Sequence, residues 1–542
     1  MEWQLMTKGQ ILFALSTMMF SVACVVFQAR SAPQIVADVP TSKVSNFGRA
    51  VWQDQESEKE EMKFPPAEDL VKDWEQPEFA LFISGRMHGY IEPCGCVGLD
   101  RQKGGLLRRH TAQKIVKSRG WNVVSIDTGN QIQRFSQQAL IKLRTAFRGI
   151  CRTMNYDAIG LGPDDVTKAP SDDLAQIIVD NRLNDNQFVC ANVVVLDEFV
   201  NQPFRVINSG EKTIGVTSLI GDEHLDAIKD NALTKMTMAE ALKAVAPKLK
   251  AANCDLLVCT VHATPEACEA LAKQFPVFDL MVCAGGPGDP KNLPDRVVVG
   301  EHVTQIILTG KKGMHIGIVG YYGDRTKLKY ERVPLDARFE DSEAIKEHFL
   351  EYQKTLKQLY TSGRLGDITP QPHPSGNTYL GSDACQACHQ AEFNIWKNQN
   401  GGPHTHATDD LKQNPNDDRV WVQRNYDPEC LSCHVTGWNP QKFYPYESGY
   451  VDFEKDLHLH TSGCENCHGP GSAHVRDQDL VKAGQLAEDD PAVRKANRGM
   501  RLTKARAKRE HCMQCHDLDN SPDFLEEDGF NTYWEQIEHG GG

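Results

Sequence analysis

The chain has 542 residues, 40% of them apolar and 24% charged, so it holds enough material for a large core and about two to four domains. A formal charge of -14 at pH 7 repels phosphates and excludes nucleic acid as a general partner. Seventeen cysteines are too many for an ordinary cytosolic protein of this size, so export or metal chemistry is expected.

In chain order, Lys8 precedes an apolar run over residues 11–27, followed by Gln28 and Arg30. The run is long for the core of a signal peptide and short of the roughly 20 residues of a spanning helix. Three readings stay open for residues 1–31: cleavage after Ser31, retention as a membrane anchor, or lipid attachment at Cys24. All three predict export to the periplasm or to the outer face of the membrane. Residues 32–77 are polar and acidic and predict a disordered spacer.

Between residues 79 and 334 short apolar runs alternate with amphipathic stretches. Runs 79–83, 121–126, 188–195, 255–261 and 278–283 predict buried strands. Stretches 105–118, 137–154, 171–183, 238–252 and 265–275 predict helices. This alternation predicts an α/β domain over 78–362, closed by a charged helix at 341–359. Residues 363–376, rich in Gly, Pro, Thr and Ser, predict a linker. From 377 to 542 periodic strands vanish and Gly, Pro, His, Asn and Asp dominate. Aliphatic packing cannot fill that interior, so a mostly helical or irregular domain built around something else is expected.

Four copies of one pattern identify the filling: Cys385-Gln-Ala-Cys388-His389, Cys430-Leu-Ser-Cys433-His434, Cys464-Glu-Asn-Cys467-His468 and Cys512-Met-Gln-Cys515-His516. Two thiols at this spacing can add to the two vinyl groups of one porphyrin, and the adjacent histidine then falls under the iron as its proximal ligand. At this chain's Cys and His frequencies, chance yields roughly 0.02 such pentapeptides. Zinc ribbons also use paired cysteines, but zinc does not need a histidine after every second one. Four haem c groups are therefore expected, with His389, His434, His468 and His516 as proximal ligands. Eight further histidines share the region: His373, His404, His406, His458, His460, His474, His511 and His539. That density predicts several irons with two imidazole ligands.

Tyr379-Leu-Gly381 with the first motif, Trp396 and His406-Ala407 resembles the opening of the tetrahaem cytochromes typified by the electron acceptor of hydroxylamine oxidation in nitrifying bacteria. Cys430 to Gly437 and Cys464 to His474 match the same family. The resemblance covers about residues 379–516 and implies His406 and His474 as distal ligands. His404 is a rival for the first role, and His460 is preferred to His458 for a third. The resemblance also allows one haem without a protein distal ligand. Between the last two motifs, residues 494–509 carry eight basic side chains in an acidic domain. They fit a solvated face, a counter-charge for haem propionates, or a docking surface for an acidic redox partner.

The stretch 79–334 resembles the catalytic domain of the 5′-nucleotidase branch of the metallophosphoesterases, in which two metal ions generate a hydroxide nucleophile and clamp a phosphate. Its Asp-x-His motif appears here as Arg86-Met87-His88, its Gly-Asp as Gly129-Asn130, and its Gly-Asn-His-Glu as Gly162-Pro163-Asp164-Asp165. The later Ser-His becomes Val261-His262, and Gly-Gly-His-x-His becomes Gly285-Gly286-Pro287-Gly288-Asp289. The resemblance thus implies an α/β sandwich of metallophosphoesterase type without the dinuclear metal centre, with His88 and His262 as the surviving ligand types. Cys94 and Cys96, just after the first strand, form a candidate redox dithiol or soft-metal site. Disulfides among these two and Cys151, Cys190, Cys254, Cys259, Cys268 and Cys283 are the alternative.

These readings predict an exported electron carrier, either released or held by a membrane or lipid anchor, that serves redox partner proteins through four haems. In it the N-terminal part acts in docking or in thiol or metal chemistry. The competing expectation is a multihaem oxidoreductase acting on a small nitrogen or sulfur compound at one open haem. A working phosphoesterase is not expected.

Overall fold

Central strands of the N-terminal part, such as Phe79–Ser84 and Leu256–His262, are largely apolar runs because both of their faces are covered. The computed structural model describes residues 65–92, 102–399, 402–412, 422–517 and 520–540. In chain order the strands are β1 (Phe79–Ser84), β2 (Val123–Asp127), β3 (Ala158–Gly160), β4 (Phe188–Val189), β5 (Val193–Val195), β6 (Phe204–Ser209) and β7 (Lys212–Ile220). They continue with β8 (Leu233–Lys235), β9 (Leu256–His262), β10 (Leu280–Cys283), β11 (Asp295–Val299), β12 (His302–Leu308), β13 (His315–Tyr321) and β14 (Lys329–Pro334). Two six-stranded sheets result, ordered β14-β13-β1-β2-β3-β4 and β11-β12-β10-β9-β7-β6. Each is parallel at its centre, with antiparallel pairing towards an edge.

Side-chain alternation builds the layers. Phe79, Leu81 and Ile83 of β1 meet Val216, Val258 and Val282 of the facing sheet in the core between the sheets. The intervening Phe82 points to the helices outside, and Leu257, Cys259 and Val261 of β9 do the same on the other side. The result is a four-layer sandwich, helices on sheet on sheet on helices. This is the expected fold class.

Helix ends follow local chemistry. Ser136 caps helix Gln137–Arg148 by accepting from Ala139 N at 3.0 Å, and a π turn at Gly149–Thr153 continues it. Thr237 and Glu240 form a capping box at helix Met238–Ala251. The run 188–195 is two strands because Asn192 turns aside: its amide donates to Ile220 O at 2.7 Å and accepts from Ile220 N at 2.9 Å. Residues 65–77, expected within the spacer, are packed. Ala67, Leu70 and Val71 are buried, and Trp74 stacks on Trp121 with ring centroids 6.3 Å apart. Residues 363–376 are tied down as well, since Asp367 accepts from the N–H groups of Gln137 and Gln138 at 3.2 and 2.7 Å. The rest of the acidic stretch and the apolar run 11–27 lie outside the described residues. Among the described residues, no helix is long and apolar enough to cross a membrane.

Beyond Asn377 short helices carry the motifs, and the two two-residue strands Trp438–Asn439 and Tyr444–Pro445 pair. Leu431, Val435, Trp438, Tyr450 and Leu459 join the core cluster of the first sheet's outer helices, so the two parts share apolar packing. Pro65–Gly542 is accordingly one compact unit.

The carboxyl ends of β1 and β2 are fixed by Asp127, fully buried, which accepts from Arg109 Nη1 at 2.8 Å, Ser84 Oγ at 2.7 Å, Gly129 N at 2.8 Å and Gln131 Nε2 at 2.6 Å. Removing one partner of such a pair leaves an uncompensated buried charge, which costs about 3–5 kcal/mol. Arg109→Met should lower the unfolding free energy measured in urea by that order, whereas the double change Arg109→Met/Asp127→Leu should cost less. A single variant as stable as the unsubstituted protein would contradict the arrangement.

Candidate functional site

The second and third motifs ride on short helices, Pro428–His434 and Cys464–His468, which bring both cysteines and the histidine of each to one end. The fourth follows a π turn at Ala507–His511, and the first spans the break between helices Asp383–Gln386 and Gln390–Asn398. None of the eight motif cysteines is in a disulfide.

Three motif histidines have a second imidazole set against them. His389 and His474 have ring centroids 6.1 Å apart, His516 and His404 6.1 Å, and His468 and His539 5.8 Å. Two imidazoles bound through bonds of ~2 Å to one metal between them put their ring centres about 6 Å apart. Four of these six rings are hydrogen-bonded at Nδ1: His468 Nδ1 donates to Met500 O at 2.7 Å and His539 Nδ1 to Ile537 O at 2.8 Å. His474 Nδ1 pairs with Asn497 Oδ1 at 2.9 Å, His516 Nδ1 with Ser521 Oγ at 2.8 Å, and His434 Nδ1 with Ala407 O. Hydrogen bonding at Nδ1 leaves Nε2 as the metal-facing atom and fixes the ring. Burial pushes His516 down to about 4, which keeps its imidazole neutral, the form that binds metal. The residue set therefore fits haem.

The remaining candidates are placed differently. His460 lies between Tyr450 and Phe453, ring centroids 5.4 and 5.0 Å away, with its Nε2 buried and unpartnered. His406 precedes Ala407, the residue whose carbonyl orients His434. His539 was among the eight extra histidines but carried no spacing signal, because it is remote in sequence from the motif it faces. Only the fold brings it there.

Proximity of the thiols orders the motifs in space. Cys385 of the first lies near Cys464 of the third, Cys467 of the third near Cys512 of the fourth, and Cys515 of the fourth near Cys433 of the second. The spatial sequence is thus first, third, fourth, second. Cys388 at one end is exposed, while Leu431 and Ser432 at the other are buried.

Residues 384–469 match the family model described as cytochrome c554 and c-prime. This part of the chain is similar to multihaem cytochromes c. Cytochrome c-554 of Nitrosomonas europaea is 30% identical over 156 residues, 27% of this chain and 60% of that protein. The chain thus spans less than two thirds of the length of that relative. Among solved structures, the 5′-nucleotidase precursor of Thermus thermophilus aligns over 56% of this chain and 62% of its own, with 18% identity and a TM-score of 0.45. The NAD nucleotidase of Haemophilus influenzae aligns over 61% and 68%, with 12% identity and a TM-score of 0.45.

In the α/β part, the substituted motif residues meet at the carboxyl ends of the parallel strands. Arg86, at a φ of 49°, donates through Nη1 to Gly286 O at 3.1 Å and Gly310 O at 3.0 Å. His262 Nε2 donates to Thr128 O at 2.6 Å. Asn130 exchanges hydrogen bonds with Asp164, and Asp165 accepts from the N–H groups of Asn130, Gln131, Ile132 and Gly162. Gly129, at a φ of 94°, allows this closure, since a Cβ there would lie 2.6 Å from Gly160 O. His88 Nε2 is buried without a partner. Among the described residues, no group of three or more His, Cys, Asp or Glu side chains is arranged to hold a metal ion. Cys94 and Cys96 lie outside the described residues. The other six cysteines of this part are buried free thiols, so none of the six is in a disulfide.

Burial pushes His88 and His262 down to about 3 from an ordinary 6.5. Each stays neutral in the folded protein but takes up a proton below pH 6.5 once unfolded. The unfolded state then binds more protons, so stability is lost as the pH falls below about 6.5, at about 1.4 kcal/mol per pH unit for each histidine. His262→Gln keeps a donor for Thr128 O and removes one titration. Its urea midpoint should fall less than that of the unsubstituted protein between about pH 7 and about pH 5. An equal fall in both would refute the buried, neutral state of His262.

Proposed function

We propose that the chain is an exported electron-transfer cytochrome carrying four haem c groups, with an α/β part that has given up phosphoester chemistry. The observation that carries the reading is the set of three histidine pairs at 5.8–6.1 Å, each joining one motif histidine to a histidine from elsewhere in the chain. Cys385, Cys388, Cys430, Cys433, Cys464, Cys467, Cys512 and Cys515 would attach the haems. His389, His434, His468 and His516 would be the proximal ligands, with His474, His404 and His539 opposite the first, fourth and third motifs. Bound haem would supply one-electron exchange at its iron. Two imidazoles on an iron leave no place for substrate, which favours transfer over ligand chemistry.

The protein's own contribution is orientation and insulation. Carbonyls at Met500, Ile537 and Ala407 hold the imidazole rings, and the contiguous thiols keep the attachment points in one chain. The exposed first motif suits contact with a redox partner protein. In the α/β part, Arg86 occupies the position where a carboxylate would attract a metal, and its guanidinium holds two loop carbonyls instead. We therefore expect no phosphatase activity with added manganese or cobalt.

The test is the haem content of the purified protein together with electron paramagnetic resonance of its oxidised form. Four haems per chain are expected, and His539→Met, His474→Met and His404→Met should each alter one low-spin signal and leave the others. Stoichiometric zinc without haem absorbance would overturn the haem reading. A high-spin signal from about one haem in four in the unsubstituted protein would point to an open iron, and to an oxidoreductase acting on a small nitrogen or sulfur compound.

A further inference from the structure

Helix Pro428–His434 ends on the proximal histidine of the second motif, and its other end is gripped by the α/β part. Asp427, its N-cap, is buried and accepts from Gln138 Nε2 at 2.5 Å, Gln353 Nε2 at 2.9 Å and Tyr352 Oη at 3.1 Å, besides Glu429 N at 3.1 Å. All three side-chain donors come from the α/β part, Gln138 from helix Gln137–Arg148 and the others from helix Glu343–Thr361. One turn on from Gln138, Lys142 reaches Glu429 Oε2 at 2.5 Å, and Arg134 approaches the other oxygen at 3.6 Å. The Lys142 side chain is only 11% exposed.

A lysine taken out of water needs a partner that repays its desolvation. Here the partner is Glu429, the residue directly before Cys430, which fixes the Lys142 ammonium beside the start of the second motif. A fixed positive charge in a low-dielectric setting favours whichever redox state carries one electron more. We propose that Lys142 of the α/β part is a positioning residue for the second haem motif, one that locks its helix through Glu429 and raises the reduction potential of the haem held there. This rests on the reading that Cys430 and Cys433 carry a haem. It assigns the α/β part a task that needs no active site of its own: it sets the potential of the haem at the buried end of the motif series.

The experiment is a redox titration of the full chain, monitored by electron paramagnetic resonance. In Lys142→Met one of the four potentials should fall, by about tenfold in the reduction equilibrium constant or about 59 mV for one electron. The component that moves should be the one that His434→Met displaces. Lys142→Arg should restore it, and Glu429→Gln, which removes the opposite charge, should raise it. Four unmoved potentials in Lys142→Met, or shifts of the same sign in Lys142→Met and Glu429→Gln, would overturn the inference. If Lys142→Met does not fold, Glu429→Gln decides alone: a rise supports the inference and no change refutes it. Mass spectrometry of the haem peptides keeps the two claims separate. A peptide containing Cys430 and Cys433 without haem defeats the haem reading at that motif, while a haem-bearing peptide with an unmoved potential defeats only this inference.

Discussion

Two carboxylates at the start of one seven-residue helix hold the described chain together. Asp427 and Glu429 lie in the motif-bearing part, yet nearly every group that satisfies them comes from the sandwich. Without that clamp, the second motif would depend on a part of the chain with few aliphatic side chains to bury. Its short helix is too small to be stable alone, since isolated helices below ~12 residues are marginal in water. With it, the buried Leu431 and Val435 of this segment extend the core under helices Gln137–Arg148 and Glu343–Thr361. A second ion pair, Glu92 with Arg424, reinforces the same face.

The sandwich can serve as a socket because the polar groups at its strand ends are tied to one another and to nearby backbone. Asp127, Ser84, Arg109 and Tyr156 form a closed buried network below those ends. Above it, Arg86 satisfies carbonyls of two loops, and Asn130, Asp164 and Asp165 satisfy one another and nearby backbone. Most of these polar side chains are used internally, His88 Nε2 being an exception. A site closed in this way gains rigidity, and rigidity is what a socket for another element requires.

Much of this was legible in the sequence where the signal is local. Central strands such as β1 and β9 are covered on both faces and stand out as apolar runs, and the helices were located to within a few residues. Other strands were not legible: β6 reads Phe-Arg-Val-Ile-Asn-Ser and β14 Lys-Tyr-Glu-Arg-Val-Pro, half-exposed patterns that resemble loops, and the more buried β7, β12 and β13 were missed as well. At the candidate site, the four motifs are local and could not be missed. The partners across from them are not local, and only the fold sets His539 against His468 or His404 against His516. The clamp was invisible too. Gln138 and Lys142 look like the outer face of an amphipathic helix, and nothing in their own segment says that a carboxylate pair will cover them.

The asymmetry of the motif series gives the arrangement a direction. One end is the first motif, with Cys388 exposed and Lys482 Nζ on its sulfur at 2.9 Å. The other end is the second motif, enclosed by the sandwich. Helix Pro491–Met500 sits by the outer end: its inner side orients His468 and His474 through Met500 and Asn497, and Arg494, Lys495 and Arg498 are exposed to solvent. In a chain of formal charge -14, that cluster is where an acidic surface would approach with least repulsion. On the proposed reading, electrons are exchanged with a partner at the exposed end, and the haem farthest from that exchange is the one whose surroundings the sandwich controls. On the same reading, a terminal carrier whose potential the sandwich raises would draw electrons inward along the series, which would give the folded sandwich a role in that transfer.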